Sequence, residues 1–510
     1  MKDLQGPFQE AITTGYTFKG GAILLGTAML GGKALPAVPV SVSLKTLNRH
    51  GLIAGATGTG KTKTLQKIAE SLSARGVPVL LMDMKGDVSG ISQPGSSHPK
   101  IDERHAAIGT PWKPTSFPVE FLTLSEERGA RLRATVSEFG PVLFSKVLDL
   151  NDTQAGVVSL VFKYCDDKQL PLLDLKDFKK TVQFLTNEGK DEVRKEYGAL
   201  STATTGTILR KIVEIEQEGA DTFFGERSFE VEDLLKTDGD GRGVISVLRL
   251  TDIQNKPRMF STFMLCLLAE VYSTFPEVGD PDKPKLVIFM DEAHLIFKEA
   301  SKALLEQIET IIKLIRSKGV GVIFCTQSPT DIPASVLGQL GLKVQHALRA
   351  FTANDRKAIK QAAENYPLTE FYDTDTVLTS MGIGEAFVTG LNEKGIPTPL
   401  VQTYLCAPES RMDPITDTEL QSIVSRSTLA GKYNEEIDRE SAYEMLSSKI
   451  QPEEPAPPDA GRRRKEEPST LQKIASSSVT RQIGRTVARE LTRGLLGVLG
   501  ISTTRRRSGR

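Results

Sequence analysis

Gly55-Ala56-Thr57-Gly58-Thr59-Gly60-Lys61-Thr62 is the stretch on which the fold of this chain turns. It matches GxxxxGK[ST] at every position, and each residue type has a physical reason to be there. Glycines let the backbone curl so that successive N–H groups aim at a β-phosphate, and the start of a helix adds the positive end of its dipole. Lys61 would bridge β- and γ-phosphates, Thr62 would ligate Mg²⁺, and Lys63 carries the loop into the helix as part of the same nucleotide-contacting run. A glycine-rich turn without a ligand is the plain alternative. It would not need an apolar strand before it and a helix after it, and both are predicted here.

Working outward, Leu52–Gly55 ends a short apolar strand, and Lys63–Arg75 has helical spacing through Leu65, Ile68, Ala69 and Leu72. Val77–Met82, Leu286–Met290 and Val320–Cys325 are apolar runs of strand length, separated by helical or irregular sequence. That pattern predicts an α/β fold built on a parallel sheet covered on both faces. Upstream, from Tyr16 to Val42, short apolar runs broken by Gly20-Gly21, Gly31-Gly32, Pro36 and Pro39 predict a small β element within residues 1–45. The core is then expected over 46–138 and 241–410, with a helical insertion over 139–240 and a helical segment over 411–450.

The second chemical motif is Leu286-Val287-Ile288-Phe289-Met290-Asp291-Glu292-Ala293-His294, an apolar strand ending in two acids. Asp291 at the strand tip suits the water shell of Mg²⁺, and Glu292 suits the orientation or deprotonation of an attacking water. An acidic turn capping a helix is the bland reading. Gln327 follows the next apolar strand, where open α/β sheets place ligand-facing groups, and reads either as a γ-phosphate contact or as an idle polar residue. Arg316, between a helix and that strand, has the planar fork that suits a γ-phosphate, in its own subunit or a neighbour's; a solvated helix end is the alternative. Asp83-Met84-Lys85-Gly86-Asp87 follows the strand after the phosphate loop. It suits contact with nucleotide, a neighbouring subunit or a DNA phosphate, or a mere surface turn.

Composition sets the bounds. With 510 residues the chain exceeds one core, and 39% apolar against 25% charged residues predicts folded domains. Lys plus Arg and Asp plus Glu each number 64, so no net field draws nucleic acid or membrane. Cys165, Cys266, Cys325 and Cys406 stand apart without a CxxC pair, which predicts reduced thiols in the cytoplasm. The five histidines lack metal-ligand spacing with cysteine, which argues against zinc. No stretch offers the roughly 18 uninterrupted apolar residues of a membrane helix, so no integral membrane segment is expected. The tail changes character. Pro452, Pro455, Pro457 and Pro458 among acids predict an extended or disordered linker, and Ile483, Val487, Leu491 and Leu495 beside Arg481, Arg485, Arg489 and Arg493 predict a basic amphipathic helix. Its thirteen Lys and Arg against three Glu over 461–510 would serve DNA phosphates, an acidic protein or an anionic membrane; its apolar stripe would equally serve an oligomer contact.

Taken in order, Asn48-Arg49-His50-Gly51 running into Gly55–Thr62, then Asp83–Asp87, Asp291-Glu292-Ala293-His294, Arg316–Gly319 and Thr326-Gln327, the motifs resemble the HerA/FtsK group of P-loop motor ATPases, and in particular the bacterial HerA-like helicase proteins. The resemblance spans about residues 16–405. It implies a RecA-like P-loop NTPase core, an N-terminal β-barrel-like element, ATP and Mg²⁺ as cofactors, and a homohexameric ring with ATP sites at subunit interfaces. It implies also that Arg316 acts across the interface, that Arg49 senses nucleotide, and that the ring translocates on or unwinds double-stranded DNA. Only about 45 residues precede the core that carries the phosphate loop, so the barrel would be a reduced one, and the tail is not a core feature of such motors. An ATP-dependent regulator or scaffold with a protein partner is the competing reading, favoured by the balanced charge and the lack of a recognised nucleic-acid module.

Overall fold

In the computed structural model, residues 4–254, 256–299, 302–350, 352–435, 437 and 439–450 are described. The Pro-rich linker and basic helix expected beyond residue 450 lie outside them. The described chain divides into two units, one of residues up to Arg133 with Arg227–Glu436, the other of Ala134–Glu226 with the residues from Ile437 onward.

The first unit is organised by one sheet. Its strands are β1 (Ala22–Leu30), β2 (Lys33–Ser43), β3 (Gly51–Ala54), β4 (Val79–Asp83), β5 (Val119–Thr123), β6 (Ala130–Arg131), β7 (Ile245–Arg249), β8 (Leu286–Met290), β9 (Val320–Thr326), β10 (Leu342–His346), β11 (Glu385–Thr389) and β12 (Val401–Leu405). Their order across the sheet is β2-β1-β12-β11-β10-β3-β9-β8-β4-β7-β5-β6. From β10 to β6 every neighbour is parallel. β3, β4, β8 and β9 are buried at every residue, which is why they read as unbroken apolar runs rather than alternating ones.

Helix Lys61–Ala74 buries Leu65, Ile68, Ala69 and Leu72 against this sheet, as its spacing predicts. At its other margin the sheet turns antiparallel through β11 and β12. There the small β element expected within residues 1–45 is the β1–β2 hairpin. The chain begins with helix Gln5–Gly15, which buries Phe8 and Ile12, and the β1–β2 hairpin pairs with β12 and so extends the main sheet. Gly31 and Gly32, both with positive φ, form the two-residue turn of that hairpin, a conformation suited to strand twist and open to glycine. Tyr16 ties the helix to the sheet by donating its hydroxyl to Val388 O at 2.9 Å and Pro399 O at 2.8 Å.

The second unit is helical: Val136–Val147, Asp152–Lys168, Leu175–Thr186, Lys190–Glu196, Thr202–Gln217 and Ala442–Ile450. Capping boxes start the first three, pairing Thr135 with Glu138, Asn151 with Gln154 and Asp174 with Asp177. Phe144 stands at the centre, with ring centroids 4.9 Å from Phe178 and 6.0 Å from Phe162 and Phe224.

The joint between hairpin and sheet leaves no room at Gly26. A Cβ there would lie 2.0 Å from the carbonyl oxygen of Tyr404, a backbone atom of the paired strand. Gly26→Ala is therefore expected to destabilise the chain by about 2 kcal/mol or more. A urea midpoint lowered at constant slope is the expected result, and an unchanged midpoint would refute the close pairing of β1 with β12.

Candidate nucleotide site

The phosphate loop joins β3 to helix Lys61–Ala74 and is anchored on both sides. The N–H of Gly55 donates to Thr326 O at 3.3 Å and that of Ala56 to Ala347 O at 2.9 Å, so the ends of β9 and β10 hold its start. Thr59 Oγ1 donates to Ala56 O at 2.7 Å, and Gly384 N–H donates to Thr59 O at 3.1 Å. Beneath it, His346 Nε2 lies 2.9 Å from Thr64 Oγ1. Burial pushes this histidine down to about 3, so the ring is neutral at ordinary pH. Gly60 closes the loop with φ +114°, a backbone shape costly to any residue with a side chain, and Lys61 then opens the helix.

No side chain caps that helix start. Its first-turn N–H groups therefore form a cradle for an anion. Lys61 Nζ meanwhile donates to the loop's own carbonyls, Gly55 O at 2.7 Å and Ala56 O at 3.2 Å, and burial lowers its pKa. A half-buried ammonium beside an uncapped helix start fits a triphosphate well. Thr62 stands half-buried in the same first turn, whereas the Lys63 ammonium is taken by Met412 O, which leaves only its backbone at the loop.

Register brings the acids to the same place. Ala54 pairs with Thr326, Met290 with Phe324 and Met82 with Met290, so the residues after β3, β9, β8 and β4 emerge at one edge. Asp291 is 8% exposed; burial first, and then the neighbouring Glu292 charge, push its carboxyl up to about 7. A cation would remove that penalty, which fits Asp291 and Thr62 to Mg²⁺. Among the described residues no three acids, histidines or cysteines converge into a metal cage, so such an ion would draw mainly on phosphate and water.

Glu292, 6% exposed, has φ +48°, a left-handed backbone that costs a non-glycine residue about 1–2 kcal/mol. Its Oε1 forms an ion pair with Lys85, and its Oε2 lies 3.2 Å from His294 Nδ1 without hydrogen-bond alignment. Gln327 is exposed directly beyond Thr326, whose Oγ1 donates to Asp331 Oδ2 at 2.7 Å. The structure thus gathers Lys61, Thr62, Asp291, Glu292 and Gln327.

The two arginines stand elsewhere. Arg316 precedes β9, half-exposed, with its nearest acid Asp280 at 3.7 Å. The seven residues of β9 separate it from the phosphate edge, a span of about 20 Å. Arg49 precedes β3, with its guanidinium against Gly395 and its Nε buried without a partner. Neither reaches the phosphate loop of its own chain. Sequence reading missed the Lys85–Glu292 pair, because the motif 83–87 signalled a role without naming its partner; the adjacency of β4 and β8 supplies it.

A phosphate loop and an acid-tipped strand at one edge of a parallel sheet define a P-loop NTPase. The model of the helicase HerA-like C-terminal family matches residues 30–468, and the chain belongs to that family. Among curated relatives, the DNA double-strand break repair helicase HerA of Sulfolobus acidocaldarius is 23% identical over 370 residues, 71% of this chain and 66% of that protein. Its namesake from Saccharolobus solfataricus is 23% identical over 362 residues, 69% of this chain and 64% of that protein. The chain thus spans just under two thirds of the length of these relatives. The bacterial conjugative coupling protein TrwBdeltaN70 aligns at 14% identity and a TM-score of 0.48 over 78% of this chain and 91% of its own. At that score the likeness carries no weight for the site.

Asp291 supplies a test by linkage. Its folded value of about 7 stands above the ordinary carboxylate value of about 3.9, so the folded state holds the proton more tightly. Its contribution to stability is then fullest at low pH and is lost as pH rises through about 7. Without divalent ions, Asp291→Asn is expected to melt about 2 °C or more above the parent at pH 8, with the gap narrowing as pH falls below about 7 and closing only near the unfolded value of about 4. A gap independent of pH would contradict the buried charge.

Proposed function

We propose that this chain is an ATP-hydrolysing motor that works as a homohexameric ring and translocates on or unwinds double-stranded DNA, in the cytoplasm. The observation that carries the reading is the convergence of the uncapped phosphate loop, Asp291, Glu292 and Gln327 at one sheet edge. Membership of a helicase family supports the motor, and its relatives' being DNA double-strand break repair helicases supports DNA as the track. No helix among the described residues is long and apolar enough to cross a membrane.

In this reading the loop N–H groups and Lys61 hold the β- and γ-phosphates, and Thr62 and Asp291 hold Mg²⁺. The ion, when bound, neutralises charge on the phosphate oxygens. Glu292 orients the attacking water and takes its proton, and Gln327 contacts the γ-phosphate side of the site. Arg316 lies a strand's length from its own loop, so its fork serves a neighbouring subunit's γ-phosphate; Arg49, on the same far side, is assigned to nucleotide sensing at that junction. The balanced charge, 64 against 64, supports a second reading as an ATP-dependent regulator of a protein partner.

Lys61→Ala is expected to weaken nucleotide binding, whereas Glu292→Gln keeps binding and lowers kcat by about a thousandfold. Normal turnover in Glu292→Gln would sink its assignment as the base. Arg316→Ala subunits mixed with Lys61→Ala subunits are expected to regain part of the activity; no regain in verified mixed rings argues for a role within one subunit. The DNA reading is tested by turnover with and without duplex. Stimulation with salt-sensitive binding supports the motor, and the absence of both leaves the regulator.

A further inference from the structure

The motif Asp83-Met84-Lys85-Gly86-Asp87 has no task in that scheme, yet the structure builds it with care. Asp83 is fully buried, and its carboxylate accepts the N–H groups of Gly86 at 2.7 Å, Asp87 at 3.2 Å and Val88 at 3.3 Å. Met84 is buried beside it, and its carbonyl accepts from Gln254 Nε2. With Gly86 at φ +77°, the turn is locked on both sides of Lys85. Because β4 and β8 are neighbours in register, this locked turn faces Asp291 and Glu292.

Lys85 therefore has a fixed base and a half-exposed head. Its side chain is 45% exposed, against 8% for its partner Glu292. The pair occupies one oxygen of the carboxylate assigned above as the water-activating base, and the other oxygen is turned toward His294. The ammonium sits on Oε1, so that oxygen is closed to a water while the pair holds. The same ammonium, half in solvent, is open to capture by another anion without disturbing the buried turn. Asp291 and Asp87 also act on it, so its charge is shared among acids rather than spent on one.

We propose that Lys85 is a positioning residue that latches Glu292, and that a phosphate oxyanion entering the site takes the Lys85 ammonium and frees the carboxylate to activate water. Two sources offer that oxyanion: the γ-phosphate of the bound nucleotide and the backbone of a duplex lying against the phosphate edge. The latch rests on the assignment of Glu292 as base.

The test uses the full chain with Lys85→Ala, Lys85→Arg and Glu292→Gln. Lys85→Ala is expected, if the duplex is the source, to raise kcat without DNA by about fivefold, the scale of a half-exposed ion pair, and Lys85→Arg, which keeps the pair, to retain the low rate. If the duplex is the source, Lys85→Ala loses stimulation by DNA and keeps the parent's ratio of affinities for a non-hydrolysable ATP analogue and ADP, measured by equilibrium binding. If the γ-phosphate is the source, that ratio falls and stimulation persists. A DNA-free kcat in Lys85→Ala that does not rise, together with an unchanged ratio of affinities, overturns the latch. Should Glu292→Gln turn over normally, the base assignment itself fails; should it be inactive while Lys85→Ala changes neither kcat nor that ratio, the latch alone fails.

Discussion

The hydrogen-bonded register among β3, β9, β8 and β4 is the constraint on which the rest depends. Four loops carry chemistry, and each begins where one of these strands ends. A slip of one residue in any ladder would turn its side chains to the other face and move its loop by a full residue. Burial prevents the slip: every residue of the four strands is packed on both sides, so no alternative pairing hides the same apolar area. The site is thus precise because the core is tight.

That precision lets the edge hold charges that a core rejects. Asp83 is buried and accepts three backbone N–H groups, which offset part of the cost, though burial and then the Asp87 charge still push its carboxyl up to about 6. Asp291 has no such set, and its carboxyl is driven up to about 7. Glu292 adds a left-handed backbone to a buried charge. Strain and unmet charge in adjacent residues mark a place kept for a ligand rather than for stability.

The antiparallel margin of the sheet supports the same edge. β10 ends in His346, which underlies the phosphate loop through Thr64, and the turn before β11 reaches Thr59 through Gly384. With β1 and β2 joined to β12, this margin belongs to the frame that shapes the nucleotide loop.

By itself the sequence determined what is local. Glycines at 55, 58 and 60 encode backbone shapes that few other residues adopt, Lys61 and Thr62 carry the chemistry of a phosphate site, and unbroken apolar runs announce buried parallel strands. Each of these needs only its own neighbours in the chain, so each was legible. Tertiary structure alone decided that Lys85 meets Glu292, that Arg49 and Arg316 stand a strand's length from the phosphate loop of their own chain, and that the N-terminal hairpin extends the main sheet. Those outcomes follow from the order in which strands pair. Pairing joins residues hundreds of positions apart by backbone hydrogen bonds, whose donors and acceptors are the same in nearly every residue and so leave no mark in the sequence.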